Sequence, residues 1–183
     1  MPLIASNRVY SGKVLNLDLD TVRFPDGSTG KLEMIRHPGA AAVLPFLDDP
    51  LSDNPQVVLI RQFRHAADDF IYEVPAGRLD PGEAPEVCAR RELAEETGYG
   101  ASSIERLTTI YTTPGFTDER IHLFMASGLE PGDHRREADE FLEIHRFHWR
   151  EVLELVRTGE LADGKSLAAI TFVQCFVRKQ GSR

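Results

Sequence analysis

From Pro85 to Gly98 the sequence reads as one helix, and three of its glutamates, Glu92, Glu95 and Glu96, share roughly one face of it. Pro85 suits a first helical turn, Val87, Arg90/Arg91 and Ala94 follow at helical spacing, and Gly98 is a natural stop. Two carboxylates about 5 Å apart at an effective dielectric near ~20 repel by about 3 kcal/mol. Glu95 and Glu96 also sit in the last turn, where the helix dipole disfavours anions. Folding alone gains nothing from this crowding. Either the helix shows a solvated acidic face, or the carboxylates grip a hard divalent cation such as Mg²⁺ or Mn²⁺.

The remainder of the chain limits what can surround that helix. At 183 residues and 42% hydrophobic content, the chain suits one compact unit with a substantial core, and disorder is excluded. The longest apolar run, Ala40–Leu47, falls far short of the ~18 residues of a membrane span. The first residues, MPLIASNRVYSG, lack the basic and apolar regions of a secretory signal. Cys88 and Cys175 are the two cysteines, so neither a disulfide framework nor a cysteine zinc site is implied. A reducing, cytoplasmic location is the expectation. Lys and Arg number 21 against 29 Asp and Glu, a net charge of -8 that argues against a general nucleic-acid binder. An acidic chain can still handle a phosphorylated small molecule where cations bridge the two sets of negative charge.

Strands dominate the first 36 residues. Leu15, Leu17 and Leu19 alternate with Asn16, Asp18 and Asp20, the period-two pattern of a half-buried strand. Pro25-Asp26-Gly27-Ser28 is a turn, and Lys31–Arg36 returns as a second strand. After the break at His37-Pro38-Gly39, Ala40–Leu47 predicts a buried strand and Gln56–Phe63 another. Beyond the acidic helix, Arg106–Tyr111, Ile121–Ala126 and Glu143–Trp149 read as strands, with helices over Glu151–Thr158 and Ser166–Val177. Trp149 and Phe147 are assigned to the core. Without a repeated βαβ rhythm, this order predicts an α+β chain with α/β/α layers. Two segments are expected: an N-terminal β extension, 1–36, and one structural unit, 37–183.

The stretch from Gly77 to Tyr99 fits the pattern G-x5-E-x7-R-E-U-x-E-E-x-G-U, where U is bulky and apolar. Gly77, Glu83, Arg91, Glu92, Leu93, Glu95, Glu96 and Gly98 occupy its fixed positions, and Tyr99 stands where an aliphatic residue is more usual. At ordinary residue frequencies a chance match arises on the order of once in 10⁹ windows. The chain therefore resembles the Nudix hydrolases.

That resemblance implies a mixed sheet between helices and Mg²⁺-dependent hydrolysis of a nucleoside diphosphate linked to another moiety, with Mn²⁺ a possible substitute. It makes Glu92 and Glu96 the main metal ligands, with Glu95 assisting and the Ala76 carbonyl completing one site. Arg91 and Glu83 would orient the glutamates, and Gly77 and Gly98 would serve turn geometry. Flanking segments narrow the subgroup. Tyr72-Glu73-Val74-Pro75-Ala76, Arg36-His37-Pro38-Gly39, Arg61-Gln62-Phe63-Arg64 and Pro114-Gly115-Phe116 resemble the ADP-ribose pyrophosphatases. The likeness runs roughly from residue 8 to 178.

On that likeness Arg64, Arg36, Glu73, Pro114 and Phe116 would form the substrate side, and the first strands would cross to a second copy in a homodimer. An ordinary intrachain hairpin is the competing arrangement. The base that activates water is either Glu95 or a residue of the acidic run Glu137–Glu140, of which the resemblance favours Glu140. Other substrates in competition are GDP-mannose, NADH and FAD, with oxidised nucleoside triphosphates behind them. A non-catalytic module that senses ADP-ribose is the alternative of a different class.

Overall fold

The computed structural model describes residues 1–132 and 142–178. Glu140 and the rest of its acidic run lie outside them. Among the described residues ten strands, three α-helices and a π-helical turn follow in order: β1 (Leu3–Ser11), β2 (Asn16–Arg23), β3 (Thr29–Arg36), β4 (Ala40–Pro45), β5 (Gln56–Arg64), β6 (Asp69–Glu73), β7 (Ala76–Arg78), α1 (Pro85–Thr97), β8 (Tyr99–Tyr111), β9 (Arg120–Pro131), β10 (Leu142–His148), α2 (Trp149–Thr158), α3 (Gly164–Phe172) and the turn Val173–Val177.

Strand β4 organises the centre. It pairs parallel with β9 and antiparallel with β7, and β8 extends the sheet beyond β9. All six of its residues are buried, because both faces of the strand are covered. Ala41 and Val43 join Phe124 and Ala126 against Cys88, Ala89 and Leu93 of α1. Ala42 and Leu44 join Leu123 and Met125 against Trp149 and Val152 of α2 and Ala169 and Ile170 of α3. One helix on one face and two on the other give the α/β/α layering expected from the element order. A second sheet, β10-β5-β6, abuts this core through a Phe46–Val57 bridge.

Several boundaries differ from expectation. Strand β8 starts at Tyr99, seven residues before Arg106, because β9 pairs with it from Tyr99↔Pro131 onward. Helix α2 begins at Trp149, with the His148–Glu151 capping box starting it two residues early. The last predicted helix divides into α3 and a π-helical turn. Helix α1 keeps its predicted limits, closed by Gly98 at φ 72, whose N–H donates to the Ala94 carbonyl.

The first three strands form their own antiparallel sheet, β1-β2-β3. Here the inward face is not the leucine face. Asp18, Asp20 and Val22 are buried, while Leu17 and Leu19 are half-buried. The reason is charge pairing. Asp18 bonds Arg8 and Arg36, and Arg36 also bonds Asp20, so the carboxylates are neutralised where they are covered. The guanidinium of Arg8 holds the Asp18 carboxyl below its usual range. All nine residues of β1 are exposed, Leu3, Ile4, Val9 and Tyr10 among them. Among the described residues no helix is long and apolar enough to cross a membrane.

Candidate active site

Short strand β7 carries Ala76 and Gly77 along the edge of β4, next to α1. The apolar side of α1 is fixed in the core by Cys88, Ala89 and Leu93, which leaves Glu92 and Glu96 turned toward that edge. They are only 8% and 3% exposed. Glu96 Oε2 accepts a 2.9 Å bond from the Ala76 N–H. The Glu92 carboxylate lies against Gly77, where a Cβ would stand 1.8 Å from Oε1. Gly77 is therefore required for contact, since only a residue without a side chain admits the carboxylate.

Arg91 organises the acids around it. Its Nε and Nη2 donate to both oxygens of Glu83 at 3.0 Å, its Nη1 to Glu92 at 2.6 Å and Glu95 at 3.0 Å, and Nη2 to the Arg78 carbonyl. These bonds pull the Glu83 carboxyl down to about 2 and raise the Arg91 guanidinium further. Glu95, a third exposed, leans on Arg91. Cys88 donates weakly to the Gly77 and Arg78 carbonyls, and burial pushes its thiol up to about 12, so it packs and does not react as a thiolate.

Among the described residues no three His, Cys, Asp or Glu side chains form a closed metal cluster. Two buried carboxylates beside a backbone edge nevertheless fit a hard cation that completes its shell with water and substrate oxygens. Glu92 and Glu96 are the residues that would hold it, because their carboxylate oxygens are the donors a hard divalent cation takes.

In front of Ala76 and Gly77 opens a cleft of about 760 Å³. Arg64, Arg78 and Lys165 bring cationic groups to its wall, which His37, Thr112 and Glu119 also line. Arg64 comes from the end of β5 and is fixed by Glu73, whose two oxygens receive its Nε at 2.6 Å and Nη2 at 2.8 Å. Glu73 itself is 1% exposed and also bonds Lys165. Burial works against its charge, yet the bonds from Arg64 and Lys165 prevail and hold its carboxyl below the usual range.

The other expected substrate residues stand elsewhere. Arg36 bonds Asp18, Asp20 and Asp118, tying the N-terminal sheet to the loop after β8, and it does not line the cleft. Pro114 and Phe116 sit exposed in that loop, where Thr112 and Thr113 line the cleft in their place. The Phe116 carbonyl accepts from the Ile35 N–H and docks the loop on β3. Sequence reasoning missed Lys165. Asp163 and Ser166 are a readable helix start, with Asp163 accepting from Ser166 N–H at 3.0 Å, but nothing nearby in sequence signals the cleft.

The NUDIX domain family matches residues 36–170. The chain belongs to that family and is a Nudix hydrolase. It is 40% identical over 173 residues to the ADP-ribose pyrophosphatase of Bacillus subtilis, covering 93% of this chain and 91% of that one. It is 37% identical over 173 residues to the methanol dehydrogenase activator of Bacillus methanolicus, again 93% of this chain and 91% of that one. A crystal structure of an ADP compounds hydrolase superposes with a TM-score of 0.84 over 100% of this chain and 96% of that chain, at 21% identity, a likeness of fold.

Proposed function

We propose that this protein hydrolyses the diphosphate linkage of ADP-ribose, giving AMP and ribose 5-phosphate, with Mg²⁺ as cofactor. The observation that carries the reading is one cleft in which Ala76 and Gly77, with the acids Glu92 and Glu96 proposed to hold the metal seated against them, form part of the wall, and Arg64 and Arg78 bring guanidinium groups to another part. A diphosphate bridging two such sides has cations to meet on both. The identity with a B. subtilis enzyme of that name over nearly the full length supports the choice of substrate.

Hydrolysis adds the oxygen of water to one phosphorus and breaks that phosphorus's bond to the bridging oxygen, which leaves with the other phosphate. A bound divalent cation supplies charge against the diphosphate and acidifies water. Arg64, with one edge held by Glu73, presents its remaining N–H groups to phosphate oxygens. Glu96, anchored by the Ala76 N–H, and Glu92, seated on Gly77, keep their carboxylates fixed before substrate arrives, so little reorganisation accompanies reaction. The water's proton passes to a carboxylate. Glu140 is proposed for that role from its sequence position, ahead of Glu95, which is engaged with Arg91.

A homodimer through the N-terminal strands belongs to the same proposal. An exposed β1 bearing Leu3, Ile4, Val9 and Tyr10 supports it. The function is tested by comparing kcat/KM for ADP-ribose, GDP-mannose, NADH and FAD with Mg²⁺ and with Mn²⁺. ADP-ribose is expected to rank first. Preference for another compound overturns the substrate, and tight binding without turnover in saturating metal overturns the reaction.

A further inference from the structure

We propose that Lys165 is a positioning residue for substrate binding, acting on Arg64 through the buried carboxylate of Glu73. The inference rests on the hydrolase reading above and adds a residue to its machinery.

Glu73 is wedged between two cations: Arg64 on both oxygens and Lys165 Nζ on Oε2. The same ammonium lies 3.0 Å from Asp163 Oδ2, and its side chain is only 11% exposed. Asp163 is the N-cap of α3 and accepts the Ser166 N–H and hydroxyl. The Ser166 Oγ in turn accepts from the Val74 N–H at 2.8 Å. The start of α3 thus holds two consecutive residues at the end of β6, Glu73 through Lys165 and Val74 through Ser166. Arg64 stands at the far end of this chain of contacts with 43% of its side chain exposed at the cleft.

Charge and geometry favour an indirect role. Glu73 and Asp163 offset the charges of Arg64 and Lys165 within this group of four, so Lys165 adds direction to Arg64 and not net charge to the cleft. The lysine donors are turned to two carboxylates of its own chain, whereas Arg64 keeps an outer edge without another acceptor among the described residues. Loss of the ammonium leaves a buried carboxylate with one cation where it had two. Such a carboxylate shifts or protonates, and the guanidinium it orients loses its fixed direction.

The test is steady-state kinetics on K165M, K165R, R64A and R64A/K165M, using whichever compound of the substrate panel the wild type turns over fastest. K165M is expected to raise KM about tenfold while kcat stays within about twofold, the sign of lost binding contact shared by ground and transition states. K165R, which restores a cation to Glu73, is expected to recover most of that loss. With Arg64 already absent, K165M is expected to add little, because a residue that acts through another is not additive with it. Additive losses in the double variant, or a fall in kcat at constant KM, overturn the proposal. Should K165M fail to fold, K165Q, which keeps one donor for Glu73, is read by the same criteria. The ranking of wild-type substrates is a separate outcome: it can reject ADP-ribose while the comparison of variants still decides the role of Lys165.

Discussion

The Glu92 carboxylate fills the space that a side chain on Gly77 would need, with Oε1 1.8 Å from where a Cβ would stand. The absence of a side chain at one residue is thereby built into the position of a carboxylate fifteen residues later. Replacing Gly77 by alanine must move Glu92, the β7 backbone, or both. A displacement of about 1 Å at a reacting centre costs on the order of 100-fold in rate. G77A is expected to lose kcat/KM on that scale, and to bind Mn²⁺ more weakly by electron paramagnetic resonance titration. Unchanged Mn²⁺ affinity would remove Glu92 from the cation site.

Glu96→Gln keeps size and an acceptor oxygen for the Ala76 N–H, so the fold is expected to survive with an unchanged circular dichroism spectrum. What it removes is charge. Residues that merely support metal ligands cost ~10–100-fold when changed, and a ligand itself is expected to cost more. Turnover in Mg²⁺ is the measurement; near-normal activity contradicts the assignment.

Acid stability is expected to depend on Glu73. Its folded carboxyl titrates below the ordinary value of 4.5, so its stabilising contribution is complete above that pH and is lost as pH falls through the lower folded value. The Tm of the wild type should fall more steeply than that of E73Q as the pH is lowered below 4.5. At neutral pH E73Q should be the less stable of the two, because Arg64 then loses its carboxylate partner and Lys165 keeps only Asp163. Parallel slopes would show that Glu73 carries no such linkage.

Association through β1 makes a further prediction. Ile4 and Val9 are 50% and 63% exposed, and a charge on either is unfavourable in an apolar interface. Sedimentation velocity is expected to give a dimer for the wild type and a shift toward monomer for I4D/V9D. A wild-type monomer at micromolar concentration refutes the assembly.

What the sequence could reveal was what lies close along the chain. Glutamates three and four residues apart define a helix face, Pro85 and Gly98 mark its ends, and the unbroken apolar stretch after Gly39 announces a strand covered on both sides. Local periodicity and backbone chemistry are sufficient for these, and the structure keeps all three. Other features depended on partners that proximity along the chain does not supply. The Asp18 and Asp20 face turns inward because Arg36 reaches it from the neighbouring strand and Arg8 from another. Arg36 itself is drawn to Asp118, 82 residues away, and not to the cleft. Lys165 meets Glu73 across 92 residues only because α3 packs against β4, next to the end of β6. Spacing determined which groups could act together on one helix; the register of sheets and the packing of helices decided which cations met which acids, since a buried charge is tolerated only where folding delivers its counterpart.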